Sequence, residues 1–298
     1  MDLKQLECLV AVVEAGSFTT AAVRLNLSQP VVSRYVRQLE VELNEHLLLR
    51  NGRGVVPTDA GRRLVEHGKG ILRQVEVARH DLQENRGSLT GRVIVGLPPT
   101  IGRALTVALV TRFRHLYPKA KIGVVEALTA SMEEALLLGR VDIALLHDPA
   151  PSSQLQFEPI WSEELHLIGI DQPGQPLGDT ISVAAMAAYP LLLPASPHSV
   201  RNLLEARCRQ MGLTINVVAE VMAVESQLEL AQHGVGFAVL PRNAVRARPS
   251  TTLKAARIVE APIPTRIVMA TSVHHPPSRL AQATIGLIKG QIEGGALA

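Results

Sequence analysis

Cysteine is nearly missing from this chain of 298 residues: Cys8 and Cys208 are the two present. Two thiols cannot build a disulfide framework, and so little cysteine points to a reducing compartment. Aromatic side chains are scarce, with four Phe, three Tyr and one Trp, so there is no platform of stacked rings to grip single-stranded nucleic acid. No uncharged apolar run approaches the ~20 residues that a membrane helix needs. The opening Met1-Asp2-Leu3-Lys4-Gln5 lacks the basic start and apolar run of a secretion signal. A soluble cytoplasmic protein without a membrane partner is expected.

Catalytic signatures are missing too. The sequence contains no HExxH, G-x-S-x-G, P-loop or CxxC. His274-His275 precedes Pro276-Pro277 with no cysteine or carboxylate at ligand spacing. Gly234-Val235-Gly236 lacks the rest of a dinucleotide fingerprint and reads as a helix-to-strand turn. The expectation is a protein that is not an enzyme and holds no cofactor or metal.

What is present is globular. Hydrophobic residues make up 47% and charged residues 19%, and the length suits about two domains. Net charge is +3, which permits nucleic acid as a partner without requiring it. Lysine supplies only 6 of the 30 basic residues. The rest are arginine, the better residue for bidentate recognition of phosphate, guanine or carboxylate.

The first 57 residues read as helices with short breaks. Leu6, Leu9, Val10 and Val13 fall on one helical face, and Gly16 ends that helix. Ser17 caps a short second helix with Ala21, Ala22 and Leu25 inward. Asn26-Leu27 makes the turn. Ser28 caps a third helix with Pro30 in its first turn. Val32, Val36, Leu39 and Leu43 face its core, which leaves Gln29, Ser33, Arg34 and Arg37 on the other side. Such an order puts polar side chains in a major groove, where Gln can pair with adenine and Arg with guanine. An ordinary helical bundle with a solvated arginine face shows the same pattern.

The next stretch narrows the choice. Leu47-Leu48-Leu49 and Val55-Val56-Pro57 flank Arg50-Asn51-Gly52-Arg53-Gly54, a hairpin pattern. A hairpin carrying Arg50 and Arg53 directly after a helix-turn-helix reads as a wing that reaches backbone or minor groove. Through residue 90 there are twelve basic and eleven acidic residues. Affinity must therefore come from where the arginines sit rather than from a general basic field.

Thr58 then caps a long helix. Gly61, Leu64, Gly68, Ile71, Val75, Ala78 and Leu82 recur at alternating spacings of three and four, a heptad seam. A helix packed on its own domain would show it as well, but the length and small residues favour pairing with a second chain. Paired readers bind two half-sites.

These residues resemble the LysR-type transcriptional regulators. The match runs through Phe18, Ala21, Ala22, Leu25, the stretch Leu27-Ser28-Gln29-Pro30-Val31-Val32-Ser33-Arg34, Leu39-Glu40, Leu43, Leu47, Arg50, Thr58 and Gly61. It continues in Gly91-Arg92-Val93-Ile94-Val95-Gly96, Gly139-Arg140-Val141-Asp142-Ile143-Ala144 and Gly234-Val235-Gly236-Phe237-Ala238-Val239-Leu240-Pro241, so it covers nearly the whole chain. Asn44 stands where the family usually has Gly, and Leu48 where it usually has Phe. The resemblance implies an α/β fold with an N-terminal winged helix-turn-helix, a long linker helix and a two-lobe effector domain like a periplasmic binding protein. It also implies a homotetramer built as a dimer of dimers, double-stranded promoter DNA and a small effector as partners, and possible contact with RNA polymerase.

The expected layout is residues 1–57 for the winged reader, 58–87 for the linker and dimerisation helix, and 91–298 for the effector domain. Lobe I comprises 91–161 and 266–298, and lobe II comprises 162–265. Residues 93–146 read as a βαβαβ unit with a parallel sheet. Ligands of such sheets sit outside the strand carboxyl ends, at helix N-termini, where Thr100, Thr129 and His147 fall. Ser196-Pro197-His198-Ser199-Val200-Arg201 leads into a helix of the second lobe. Converging helix starts favour an anion. The candidate effector residues are Thr100, Thr129, His147, Ser196, His198 and Arg201. The candidate DNA-binding residues are Ser28, Gln29, Pro30, Ser33, Arg34, Arg37, Arg50 and Arg53, and the candidate dimerisation residues are Leu64, Gly68, Ile71, Val75, Ala78 and Leu82. Capping alone explains Thr100 and Thr129 equally well, but the family commonly uses a hydroxyl at the Thr100 position for effector contact. Around Met222-Ala223 many relatives carry polar residues; here the wall is expected to be less polar. The function expected is a sequence-specific DNA-binding regulator controlled by a small anionic effector between two lobes. The alternative is a ligand-independent regulator or a nucleoid-type DNA-binding protein.

Overall fold

Polar caps set the boundaries of the N-terminal helices in the computed structural model, which describes residues 1–298 apart from 52–53, 84–88, 173–175, 197, 247–251, 261–262 and 298. The chain divides into two compact units: Met1–Gly91 with Leu137–Arg140, and the remainder.

In the first unit, α1 (Leu3–Ala15) starts from a capping box between Asp2 and Gln5 and ends at Gly16, whose φ of 61° a side chain would resist. Ser17 caps α2 (Phe18–Leu25) by accepting from Thr20 N at 3.3 Å. Asn26 ends α2 in the left-handed region, and Asn44 ends α3 (Gln29–Leu43) in the same way at φ 51°. Asparagine tolerates that region better than most residues, which explains how Asn44 stands at a position where glycine was expected. Ser28 occupies the N-cap of α3, but its hydroxyl makes no cap bond there. Leu43, expected in the core, is exposed at the last residue of α3. The core gathers Leu6, Leu9, Val10, Phe18, Ala21, Ala22, Val32, Val36, Leu39 and Leu47.

The hairpin of β1 (Leu48–Asn51) and β2 (Gly54–Pro57) is antiparallel, with Leu48 opposite Pro57 and Asn51 opposite Gly54. Glu40 ties it to α3: one carboxylate oxygen accepts from Leu47 N at 2.8 Å and Leu48 N at 3.2 Å. The Thr58 hydroxyl caps α4 (Asp59–Gln83), accepting from Gly61 N at 3.0 Å while donating to His46 O at 2.8 Å.

The second unit holds one sheet. Its elements are β3 (Gly91–Leu97), α5 (Pro99–Leu116), β4 (Ala120–Glu126), α6 (Thr129–Leu137), β5 (Ile143–His147), β6 (Leu155–Gly169), β7 (Thr180–Ser182), α7 (Val183–Ala187) and β8 (Pro190–Leu193). There follow α8 (Ser199–Gln210), β9 (Asn216–Glu220), α9 (Val224–Gln232), β10 (Phe237–Pro241), α10 (Asn243–Arg246), β11 (Lys254–Val259), β12 (Pro264–Ser272) and α11 (Arg279–Glu293). The strand order is β4-β3-β5-β12-β6-β10-β8-β9, with β11 pairing β6 and β7. β3 and β5 run parallel, as the βαβαβ pattern predicts, while β12 is antiparallel to both neighbours.

β6 organises this unit. Residues up to Glu164 pair with β12, and from Leu165 onward the strand pairs with β10 and β11 instead. One strand thus belongs to both lobes. The change of partners falls at Leu165, three residues beyond the lobe boundary expected at Ser162. The return passes through Ile263–Pro264, and Leu165 N donates to Ile263 O at 3.4 Å, so the two crossings lie side by side. The register slips between Ile267 and Val268, opposite Trp161 and Pro159. Proline has no N–H for the ladder, and a bulge is the usual accommodation.

Candidate functional site

Two candidate sites arise, one in each unit. In the first, α3 buries Val32, Val36 and Leu39 and leaves Pro30, Arg34 and Arg37 exposed, with Gln29 and Ser33 half-buried beside them. Gln29, Pro30, Ser33, Arg34, Arg37, Gln38, Val41 and Glu42 line one shallow groove. Gln38 belongs to this face by spacing and was missed because the heptad-like pattern was followed only for core positions. Ser28 stands exposed one residue before the helix. The backbone of Arg50 lies on β1, but its side chain lies outside the described residues, as does all of Arg53. Gln offers paired donor and acceptor groups, and Arg a rigid fork of donors, the side chains that major-groove base edges accept.

The seam of α4 divides. Leu64 packs on the core of α1 to α3. A side-chain carbon at Gly68 would touch Val10 and Leu6 of α1, so this part of the seam serves the chain's own reader. Ile71 and Ala78 are exposed and Val75 is half-buried. The side chain of Leu82 lies outside the described residues.

In the second unit, the carboxyl ends of β3 and β5 and the starts of α5, α6, α8 and α9 enclose a cavity of about 330 Å³. Ligand pockets span roughly 300–1,000 Å³, so this one suits a compact molecule. Thr100, Thr129, His147 and His198 are brought together on its wall. Ser196 is exposed and off the lining. Arg201 is also off it: its guanidinium pairs with Glu205 and reaches Glu220 at 3.5 Å. Sequence spacing placed Arg201 one turn into α8 but could not show that acidic partners on α8 and β9 would claim it.

His147 is the centre of the first lobe's wall. Its Nε2 lies 3.4 Å from Thr100 Oγ1. The Thr129 hydroxyl donates to His147 O at 3.2 Å and accepts from His147 N at 3.3 Å, so it ties α6 to the end of β5. Burial lowers the His147 imidazole to about 4, partly opposed by Asp148 and reinforced by His198. Burial lowers His198 as well. Asp148 is held by Arg266, whose Nε and backbone N donate to it at 3.0 and 3.1 Å.

Three helix starts at the cavity carry no side-chain cap: α5 behind Pro98, α8 behind His198 and α9 behind Ala223. Their first-turn N–H groups have no partner within the helix. The lining contains no Lys or Arg. Leu128, Met222, Val224, Val239 and Leu240 supply apolar wall, in keeping with the less polar surface expected at Met222. Glu133, Asn202 and Gln227 also line the cavity and were missed, since α9 carries no sequence signal beyond moderate periodicity. Among the described residues, no group of three or more His, Cys, Asp or Glu could hold a metal ion, and no helix is long and apolar enough to cross a membrane.

Residues 3–62 match the family described as bacterial regulatory helix-turn-helix protein, lysR family, and residues 86–293 match the LysR substrate binding domain. The chain is similar to the nitrogen assimilation regulatory protein nac of Klebsiella aerogenes, with 32% identity over 249 residues, 83% of this chain and 80% of that one. It is 30% identical over 244 residues to the HTH-type transcriptional regulator BbuR of Bordetella bronchiseptica, covering 82% of this chain and 74% of that one. Among solved structures, CbnR complexed with its target DNA aligns at a TM-score of 0.74 and 23% identity, covering 97% of this chain and 99% of that one. A full-length OxyR from Pseudomonas aeruginosa aligns at 0.74 and 22%, covering 98% and 95%. At such identities these structures show the fold alone.

Proposed function

Because the chain belongs to the LysR family of DNA-binding transcriptional regulators and carries that family's effector-binding domain, we propose that a small carboxylate-bearing metabolite in the 330 Å³ cavity controls its DNA binding. The observation that carries this reading is the convergence of three uncapped helix starts on a wall without Lys or Arg. Unpaired backbone N–H groups and the positive end of each helix favour an anion. Thr100, Thr129, His147 and His198 add hydroxyl and imidazole groups around it. Ser196 and Arg201 have no part in this reading.

Gln29, Ser33, Arg34 and Arg37 read base edges, with Ser28, Pro30, Arg50 and Arg53 positioning the reader on the backbone. Ile71, Val75 and Ala78 of α4, with Leu82, pair with a second copy, while Leu64 and Gly68 hold α4 to its own reader. A dimer of dimers then presents four readers. Effector alters the angle between the lobes and so the DNA geometry that the readers favour, with recruitment of RNA polymerase as the output. A ligand achieves this only through different affinities for the two states.

The test is a thermal-shift screen of the full chain against small carboxylates, with DNase footprints at saturation. The expected result is a concentration-dependent rise in Tm, lost in Thr100→Val, with a changed footprint. Stabilisation only by molecules without an acidic group would overturn the reading.

A further inference from the structure

Four residues on the cavity wall each hold a buried polar atom that nothing among the described residues satisfies: Glu133 Oε1, His147 Nδ1, His198 Nδ1 and Gln227 Oε1. An unpaired buried polar group is costly, so four around one cavity mark where a ligand's polar atoms belong. Two of the four are oxygen acceptors on opposite lobes. The Gln227 side chain is 2% exposed, and its Nε2 donates to Val221 O at 2.6 Å, which leaves Oε1 as the unused end. Glu133 lies one turn into α6, and burial raises its carboxyl above the ordinary 4.5. No cationic side chain lines the cavity to answer it, and the other carboxylate on the wall, Asp148, is already held by Arg266.

The wall therefore has two polarities. The starts of α5 and α8 offer backbone N–H groups to a negative end. Glu133 and Gln227 offer oxygens to a donor, and a carboxylate among them favours a donor that is positive and has several N–H groups. The rest of the wall includes apolar surface from Leu128, Val224 and Val239.

We propose that the effector is a zwitterion of amino-acid type, with its ammonium group bridging Glu133 on the first lobe and Gln227 on the second and its carboxylate on the first turns of α5 and α8. The inference rests on the reading of this cavity as the effector site. Its side chain is short and apolar, because the cavity is small and its free wall is aliphatic. An ammonium and a carboxylate that each reach both lobes hold their angle at two points, whereas a plain carboxylate holds it at one.

The test is calorimetric titration of the full chain with the twenty L-amino acids. For each that binds, the deaminated acid, the 2-hydroxy acid and the decarboxylated amine follow. The expected result is binding by one or a few compact apolar amino acids, with each analogue weaker by about tenfold or more. In Glu133→Gln the preference for the amino acid over its deaminated acid should fall by a similar factor. Equal binding by the deaminated or hydroxy acid overturns the zwitterion and leaves the carboxylate reading standing. Binding by amines alone, or by no carboxylate of any kind, overturns both. Silence of all twenty amino acids beside a clear response to another carboxylate overturns the zwitterion alone. These ligand comparisons on the unaltered protein decide the matter even if Glu133→Gln folds poorly.

Discussion

The Arg103 guanidinium on α5 pairs with the Glu225 carboxylate on α9, so an ion pair joins the first lobe to the second next to the cavity. Glu225 is 57% exposed and Arg103 27%, and pairs in such surroundings contribute about 0.2–1 kcal/mol. Arg103→Ala and Glu225→Gln should each weaken effector binding a few-fold at low salt. A double-mutant cycle should show coupling of that size, shrinking as salt is raised. Coupling that ignores salt would mean the pair does not link the lobes electrostatically.

Arg34 stands exposed on the groove face of α3. If it reads a base edge, Arg34→Ala should cost about 1–3 kcal/mol and relax preference at one operator position. Quantitative binding to a panel of single-base operator variants measures this. A uniform loss on all sequences, with a shallower salt slope, would instead assign Arg34 to phosphate.

Asn44 adopts φ 51° at the end of α3. Asn44→Ala puts a side chain without local hydrogen-bonding capacity into that region and should lower stability by about 1 kcal/mol. Asn44→Gly removes the steric cost but loosens the unfolded chain, so a gain of about 0.5 kcal/mol is expected. Urea denaturation of both variants checks the order Gly above Asn above Ala. Any other order would mean that φ is not what limits this position.

Two buried groups give stability opposite dependences on pH. The His147 imidazole falls from 6.5 to about 4 on folding, so the unfolded chain takes up its proton first as pH drops. The stability it contributes is complete above 6.5 and lost as pH falls through about 4. Burial raises the Glu163 carboxyl from 4.5 to about 7, so its contribution is complete below 4.5 and lost as pH rises through about 7. Each shift corresponds to about 3 kcal/mol across its window. Glu163→Gln should therefore flatten the decline between pH 4.5 and 7, and His147→Gln the decline between 6.5 and 4. Thermal midpoints across pH 4 to 8 measure both, and unchanged slopes would rule out these two groups as their source.

The reader was almost fully legible in the sequence. Its caps, turns and apolar faces are local, so Ser17, Asn26, Thr58 and the presence of the hairpin follow from neighbours within a few residues, whereas the register does not, since Asn51 pairs with Gly54 at the end of β1. Ser28 occupies the N-cap of α3 without the expected cap bond, with Pro30 in the first turn. The cavity was legible only at its rims. Thr100, Thr129, His147 and His198 lie at strand ends and helix starts, which pattern alone locates. Gln227 and Glu133 reach one cavity only because strands distant in sequence bring α6 and α9 to its wall. Arg201 illustrates the converse, since Glu220 on β9 is remote in sequence yet close to its guanidinium. The crossing in β6 was legible to within three residues, at Ser162 rather than Leu165, because a strand that changes partners keeps one continuous pattern.

The two side-by-side crossings at Glu164–Leu165 and Ile263–Pro264 have a mechanical consequence. With one joint, and with Leu165 N bonded to Ile263 O across it, the lobes cannot slide or part independently; they can only bend or twist about a single short ribbon. Cavity width then changes only as the lobes turn about that ribbon. Displacement grows with distance from a pivot, so a difference of one methyl group between two effectors is magnified at the far end of each lobe. If the cavity takes an effector as proposed, a joint of this kind would grade the response by ligand size.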